Sequence, residues 1–149
     1  MLTTSQLLHT LSKMSVFKNH FIHVGASDQL PSLFYVPAAI IANTDSHDLP
    51  GSHWIAFYAH TYENVEFFDS FGRAPFINHH IEFLKKHFIS YTYNSRQVQS
   101  EISGFCGHYC LLYLFYRASG YTVRKLQLDY PNPLLNDAQL ANTFLPNLK

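Results

Sequence analysis

A chain of 149 residues that is 47% hydrophobic, 16% aromatic and 13% charged can bury a core without disulfide or metal staples and is too apolar to stay disordered. Ten Lys and Arg balance ten Asp and Glu, so no overall charge drives the chain onto nucleic acid or an anionic membrane. No apolar run approaches membrane-spanning length and no signal-peptide core follows Met1, which predicts a protein that is neither membrane-inserted nor secreted.

The elements are taken in chain order. Thr3, Thr4 or Ser5 can cap an opening helix that carries Leu7, Leu8, Leu11 and Met14 on one face. A short extended piece from Phe21 turns at Gly25 and again between Asp28 and Pro31, and the apolar stretch Leu33 to Ala42 reads as a strand. A polar loop, Asn43 to Gly51, leads into two short apolar runs, His53 to Tyr58 and Asn64 to Asp69, joined by a polar turn. This is the pattern of a β-hairpin. Antiparallel pairing would bring His53, which opens the first run, and Asp69, which closes the second, to the same end.

Pro75 is expected to start a helix with Ile77, Ile81, Leu84 and Phe88 inward, followed by a strand over 89–93. Next comes a polar loop from Gln99 and a helix that is apolar nearly all round, with Ser103 as N-cap and Gly120 as its stop. A helix without a polar stripe belongs inside a fold. Residues 121–130 mix apolar and charged types, Pro131 and Pro133 imply an irregular crossing, and a last helix runs from Asn136 or Asp137 to Phe144. The absence of repeats or linkers predicts one domain, 1–149.

The chemistry-bearing residues are few. Cys110, flanked by Leu111 and Leu112, reads as a small core hydrophobe, the ordinary fate of a lone cysteine. Cys106 differs because it falls in the first turn of the central helix, where free N–H groups and the helix dipole favour thiolate over thiol. Gly107 beside it permits close approach of another backbone. His53 alone reads as a strand-end residue and Asp69 alone as a turn former. Together they match the requirement that a general base and its orienting carboxylate lie in hydrogen-bond reach. The two cysteines are one helical turn apart, unsuited to a disulfide, which fits a reducing compartment. Ten histidines raise the question of metal, yet the clusters His20 with His23 and His79 with His80 and His87 lack the partners of a closed site. They are expected at the surface, with no metal bound.

In order, Gly51-Ser-His53-Trp54-Ile-Ala-Phe57, Phe67-Phe-Asp69-Ser-Phe-Gly72 and Gln99-x6-Cys106-Gly107-x2-Cys110 resemble the adenain-like (adenovirus protease) family of cysteine proteases. The similarity extends to the superfamily that includes SUMO-deconjugating proteases, and it covers roughly residues 38 to 118. The opening helix followed by Gly25-x2-Asp28-Gln-Leu-Pro31 resembles the versions encoded by adenovirus-like mobile elements and small DNA viruses. The resemblance implies an α+β fold, a central mixed or antiparallel sheet flanked by helices, with a buried nucleophile helix. It implies Cys106 as nucleophile, His53 as general base, Asp69 as the group fixing the His53 tautomer, and Gln99 with the Cys106 N–H as oxyanion donors. Trp54, with Gly51 and Gly107 nearby, would wall the substrate channel.

The adenovirus enzyme has a glutamate where Asp69 stands and is activated by DNA and by a disulfide-linked peptide. This chain has no spare thiol for such a tether and no excess of positive charge for DNA. The expectation is a viral or mobile-element thiol endopeptidase, monomeric and without cofactor, that cleaves capsid or core precursors during particle maturation. It would act in the cytoplasm or nucleus of a host cell or in the virion, on Gly-flanked bonds. An isopeptidase removing SUMO or another ubiquitin-like modifier is the second reading. A non-catalytic binding module is the third, and the joint presence of His53, Asp69, Gln99 and Cys106 weighs against it.

Overall fold

Strand residues that are apolar on both faces need cover on both sides, and that requirement organises the chain into a sheet between two helical layers. The computed structural model describes residues 1–148. Five strands, β1 (Phe21–Gly25), β2 (Ala38–Asn43), β3 (Trp54–Ala59), β4 (Asn64–Phe68) and β5 (Ser90–Tyr93), form one sheet in chain order. The central pairs β2–β3 and β3–β4 are antiparallel and the outer pairs β1–β2 and β4–β5 are parallel, so the sheet is mixed. The helices are α1 (Thr4–Lys13), α2 (Asn78–His87), α3 (Cys106–Ala118), α4 (Val123–Asp129) and α5 (Pro133–Thr143), and the class is α+β.

The two-residue period of the strands divides the core. Ala39, Ile41, Trp54, Ala56, Tyr58 and Phe68 join the buried residues of α1, α3, α4 and α5. Their neighbours Ala38, Ile40, Ala42, Ile55, Phe57, Val65 and Phe67 pack with Phe83, Leu84 and Phe88 around α2. The central helix lies inside, as its apolar circumference requires: every residue from Tyr109 to Leu114 is 1% exposed or less. Tyr113 stacks on Phe68 with ring centroids 4.5 Å apart and donates to Glu66 at 2.6 Å, while Arg117 Nε donates to the same carboxylate at 2.9 Å. The one acidic residue that β4 turns toward α3 is thereby paired. Beyond α3, Gly120 at φ +90° lets Tyr121 N–H return to the Tyr116 carbonyl (2.8 Å) and Gly120 N–H to Arg117 (3.1 Å), which ends the helix where the sequence predicts.

Several boundaries differ from expectation. The second strand begins at Ala38, because Leu33 to Val36 run irregularly into a cis Val36–Pro37 bond. α2 begins at Asn78 instead of Pro75, with His80, Phe83 and Leu84 as its buried face. Residues 123–129 are a helix capped by Thr122, and α5 starts at Pro133, whose missing N–H costs nothing in a first turn that Asn132 caps. Ser103 does not cap α3: its hydroxyl accepts from Phe105 N–H at 3.1 Å, and the N-cap is Phe105. Among the described residues no helix is long and apolar enough to cross a membrane.

The turn after β4 joins distant parts of the chain. Gly72 N–H donates to the Asp69 carbonyl at 2.7 Å, and the Ser70 carbonyl accepts from both Val98 and Gln99 N–H at 2.9 and 3.0 Å. Gly72 has φ +76°, and a Cβ there would stand 2.8 Å from Gln97 N. Gly72→Ala should therefore destabilise the fold by about 1–3 kcal/mol. Thermal unfolding measures this, and a wild-type midpoint would show that the turn tolerates a side chain.

Candidate active site

The hairpin does what its pattern implies. His53 directly precedes β3 and Asp69 directly follows β4, and His53 Nε2 lies 2.9 Å from Asp69 Oδ1, sixteen residues away in sequence. A carboxylate accepts and does not donate, so Nε2 carries the proton and Nδ1 is the nitrogen left for the Cys106 thiol. Asp69 is completely buried and its oxygens are fully engaged: Oδ1 also accepts from Phe71 N–H at 2.9 Å, and Oδ2 accepts from Arg73 Nε at 2.9 Å. Its backbone is held too, since Asn94 accepts from Asp69 N–H at 3.1 Å and donates to the Asp69 carbonyl at 2.8 Å. The Phe71 ring stacks on the imidazole, centroids 4.8 Å apart and 23° from parallel.

Cys106 opens α3, a helix with no side-chain cap and no acidic residue in its first turn, whereas α1, α4 and α5 each carry a capping side chain. The exposed positive end of α3 is left facing the thiol. Burial alone would raise the Cys106 pKa. The His53 hydrogen bond, the Trp54 and Gly107 N–H groups and the His53 charge outweigh it, and the pKa falls below the usual cysteine value. Burial likewise works against a charged His53, yet the hydrogen bonds and charges of Asp69 and Cys106 carry its pKa up to about 9. At Asp69, burial pushes up while His53, the Phe71 N–H and Arg73 pull down, and the net shift is down. All three directions favour the charged forms, thiolate, imidazolium and carboxylate, over the neutral ones. Cys110, one turn further in and fully enclosed, has its thiol pushed far up by burial and by the neighbouring Cys106 and Asp69 charges.

Gln99 is 1% exposed. Its Oε1 accepts from the Ser70 hydroxyl and its Nε2 donates to the Ser103 carbonyl at 2.9 Å. A carbonyl can only accept, so the amide orientation is determined, and the second Nε2–H makes no hydrogen bond to the described residues. Trp54 stands beside Gly107, where an added Cβ would lie 3.3 Å from indole Cδ1. As a wall it is more covered than expected: only 4% exposed, its Nε1–H donating to the Leu2 carbonyl at 2.9 Å. Gly51, at φ +94° against the Asn43 side chain, borders a cleft of about 520 Å³ that reaches from Trp54 to Asp45 and Leu49. A second cleft, about 370 Å³, opens beside Phe71, Arg73, Gln97 and Glu101.

Asn94, Ser70 and Arg73 carried no functional reading in the sequence. Asn94 is twenty-five residues from Asp69, with no local signal; Arg73, four residues on, had a detectable charge complementarity. The histidine expectation needs correction at His80, which is 1% exposed and donates to the Asn43 carbonyl at 3.0 Å, burial lowering its pKa to about 4. Among the described residues no three His, Cys, Asp or Glu side chains converge as metal ligands would.

No protein-family model matches the chain, and no curated protein does. Among solved structures, it is similar to the selenomethionine crystal structure of the ASFV pS273R protease, with 24% identity and a TM-score of 0.42. That match takes in 57% of this chain and 35% of the ASFV chain, so it spans about a third of that protein.

The asymmetry between the two thiols is measurable. At about pH 6 iodoacetamide should modify Cys106 at least about tenfold faster than Cys110, and the Cys106 rate should fall only as pH drops through its lowered pKa. Peptide mapping by mass spectrometry reads both sites, and equal rates would refute the assigned electrostatics.

Proposed function

We propose that the chain is a cysteine protease whose nucleophile is Cys106. The observation that supports this most is the buried His53–Asp69 pair set against a thiol at the uncapped start of α3. In this reading the Cys106 thiolate attacks the scissile carbonyl carbon, and the negative charge moves to its oxygen. The Cys106 backbone N–H and the uncommitted Nε2–H of Gln99 are the donors for that oxyanion. The C–N bond breaks as the His53 imidazolium passes its proton to the leaving amine, giving a thioester. Water then attacks the thioester, His53 takes a proton from it, and the acid is released with Cys106 regenerated. Asp69 keeps the imidazole in the required tautomer throughout.

The substrate class follows from the motif resemblance: capsid or core precursor proteins of a virus or mobile element, cut beside small residues during particle maturation inside a host cell or particle. An activating peptide or DNA is compatible with the chemistry. A peptide tethered by a disulfide is not, because Cys106 and Cys110 are the only thiols and are 4% and 0% exposed. Removal of a ubiquitin-like modifier would use the same atoms, so the substrate panel has to contain both kinds of bond.

Cys106→Ala should abolish cleavage of the precursors, and Gln99→Ala should lower kcat by about a hundredfold or more with a smaller change in KM. Gel-based processing assays on co-expressed precursors, run beside modifier–fluorophore conjugates, check both. Processing that survives Cys106→Ala would end the protease reading, and turnover of the conjugates alone would transfer it to isopeptidases.

A further inference from the structure

We propose that Arg73 is a positioning residue of this site, holding the His53 imidazole along its edge through Asp69 and across its face through Phe71. The inference rests on the reading of Cys106 and His53 as the reacting pair and adds a residue that the motif resemblance does not supply.

Two contacts carry it. Arg73 Nε donates to Asp69 Oδ2 at 2.9 Å, the oxygen His53 does not use, so the carboxylate is pinned between imidazole and guanidinium. The same guanidinium lies 5.2 Å from the centroid of the Phe71 ring and 4.9 Å from that of Phe76, and Phe71 stacks on His53 at 4.8 Å. One side chain thus bears on both groups that define the ring plane of His53. A guanidinium suits this task because it can donate in its plane and stack on its face together, which an ammonium cannot. The turn at Gly72 is what returns the chain so that residue 73 reaches the carboxylate of residue 69.

The charges around Asp69 give the proposal a sign. His53 and Arg73 are its cationic neighbours; Cys110 on α3 and His80 on α2 also sense its charge, Cys106 on α3 faces His53, and Glu101 shares the cleft beside Arg73. His80 is neutral at neutral pH and burial keeps Cys110 a thiol, so with the Cys106–His53 pair ionised the site holds two negative charges, Cys106 and Asp69, and two positive ones, His53 and Arg73. Taking away the Arg73 charge leaves the group one unit negative. Each remaining site then holds its proton more tightly, so Cys106, Asp69 and His53 should all titrate at higher pH.

The test compares wild type, Arg73→Gln and Arg73→Lys by the pH dependence of Cys106 alkylation, a readout that needs no substrate, alongside kcat and KM on a processed precursor. Thermal melts fix a temperature at which all three are folded. For Arg73→Gln the inflections should move to higher pH by about half to one unit, with kcat down about tenfold and KM little changed. For Arg73→Lys the inflections should return to the wild-type positions while kcat stays reduced, because the charge is restored without the stacked plane. An Arg73→Gln profile that superimposes on wild type, or an Arg73→Lys enzyme with full kcat, would overturn the proposal. If alkylation shifts as described but wild type cleaves no precursor, Arg73 stands and the substrate reading falls.

Discussion

A carboxylate that has no contact with water must be compensated by protein groups, and Asp69 is where this fold concentrates that compensation. Its oxygens accept from His53, Phe71 N–H and Arg73, and Asn94 secures its backbone from the end of the neighbouring strand. The sheet makes this arrangement possible. β3 and β4 are antiparallel neighbours, so the start of one and the end of the other meet, and the parallel partner β5 delivers Asn94 to the same end. The site therefore sits at one end of adjacent strands, on rigid elements, and is covered by α3.

α3 adds the second constraint. A helix that is nearly all apolar must be buried, and burial forces its first turn against the sheet. There the absence of a side-chain cap leaves free N–H groups for a thiolate. Cys106 and Cys110 are chemically identical and four residues apart, yet their thiols shift in opposite directions. Position along the helix produces the difference: Cys106 has His53, two backbone donors and the dipole, while Cys110 has only apolar neighbours and nearby negative charge.

Much of this was legible in the sequence because it depends on periodicity and on local order. The hairpin, the buried central helix, its Gly120 stop and the opening helix with Thr3 as cap all follow from patterns within about fifteen residues. What was not legible depends on tertiary placement. Asn94 reaches Asp69 across a strand pairing, Leu2 covers Trp54 from fifty-two positions away, and His80 is drawn into the core by a carbonyl of β2. The two-turn helix α4 keeps only Leu126 fully buried, too little to stand out as a periodic signal. Pro133 misled because a proline read as a break is also the ordinary first residue of a helix. Ser103 had the right residue type for a cap, but it lies two residues before the cap position and its hydroxyl accepts from the N–H of the cap residue Phe105.

The central claim is that His53 and the start of α3 favour the thiolate form of Cys106. The ultraviolet absorbance of thiolate, taken as the difference between wild type and Cys106→Ser across a pH titration, tests it most directly. The account predicts a difference signal whose inflection lies below the ordinary cysteine range and moves up toward that range in His53→Ala. A signal that emerges only in the ordinary cysteine range, unchanged by His53→Ala, would contradict it.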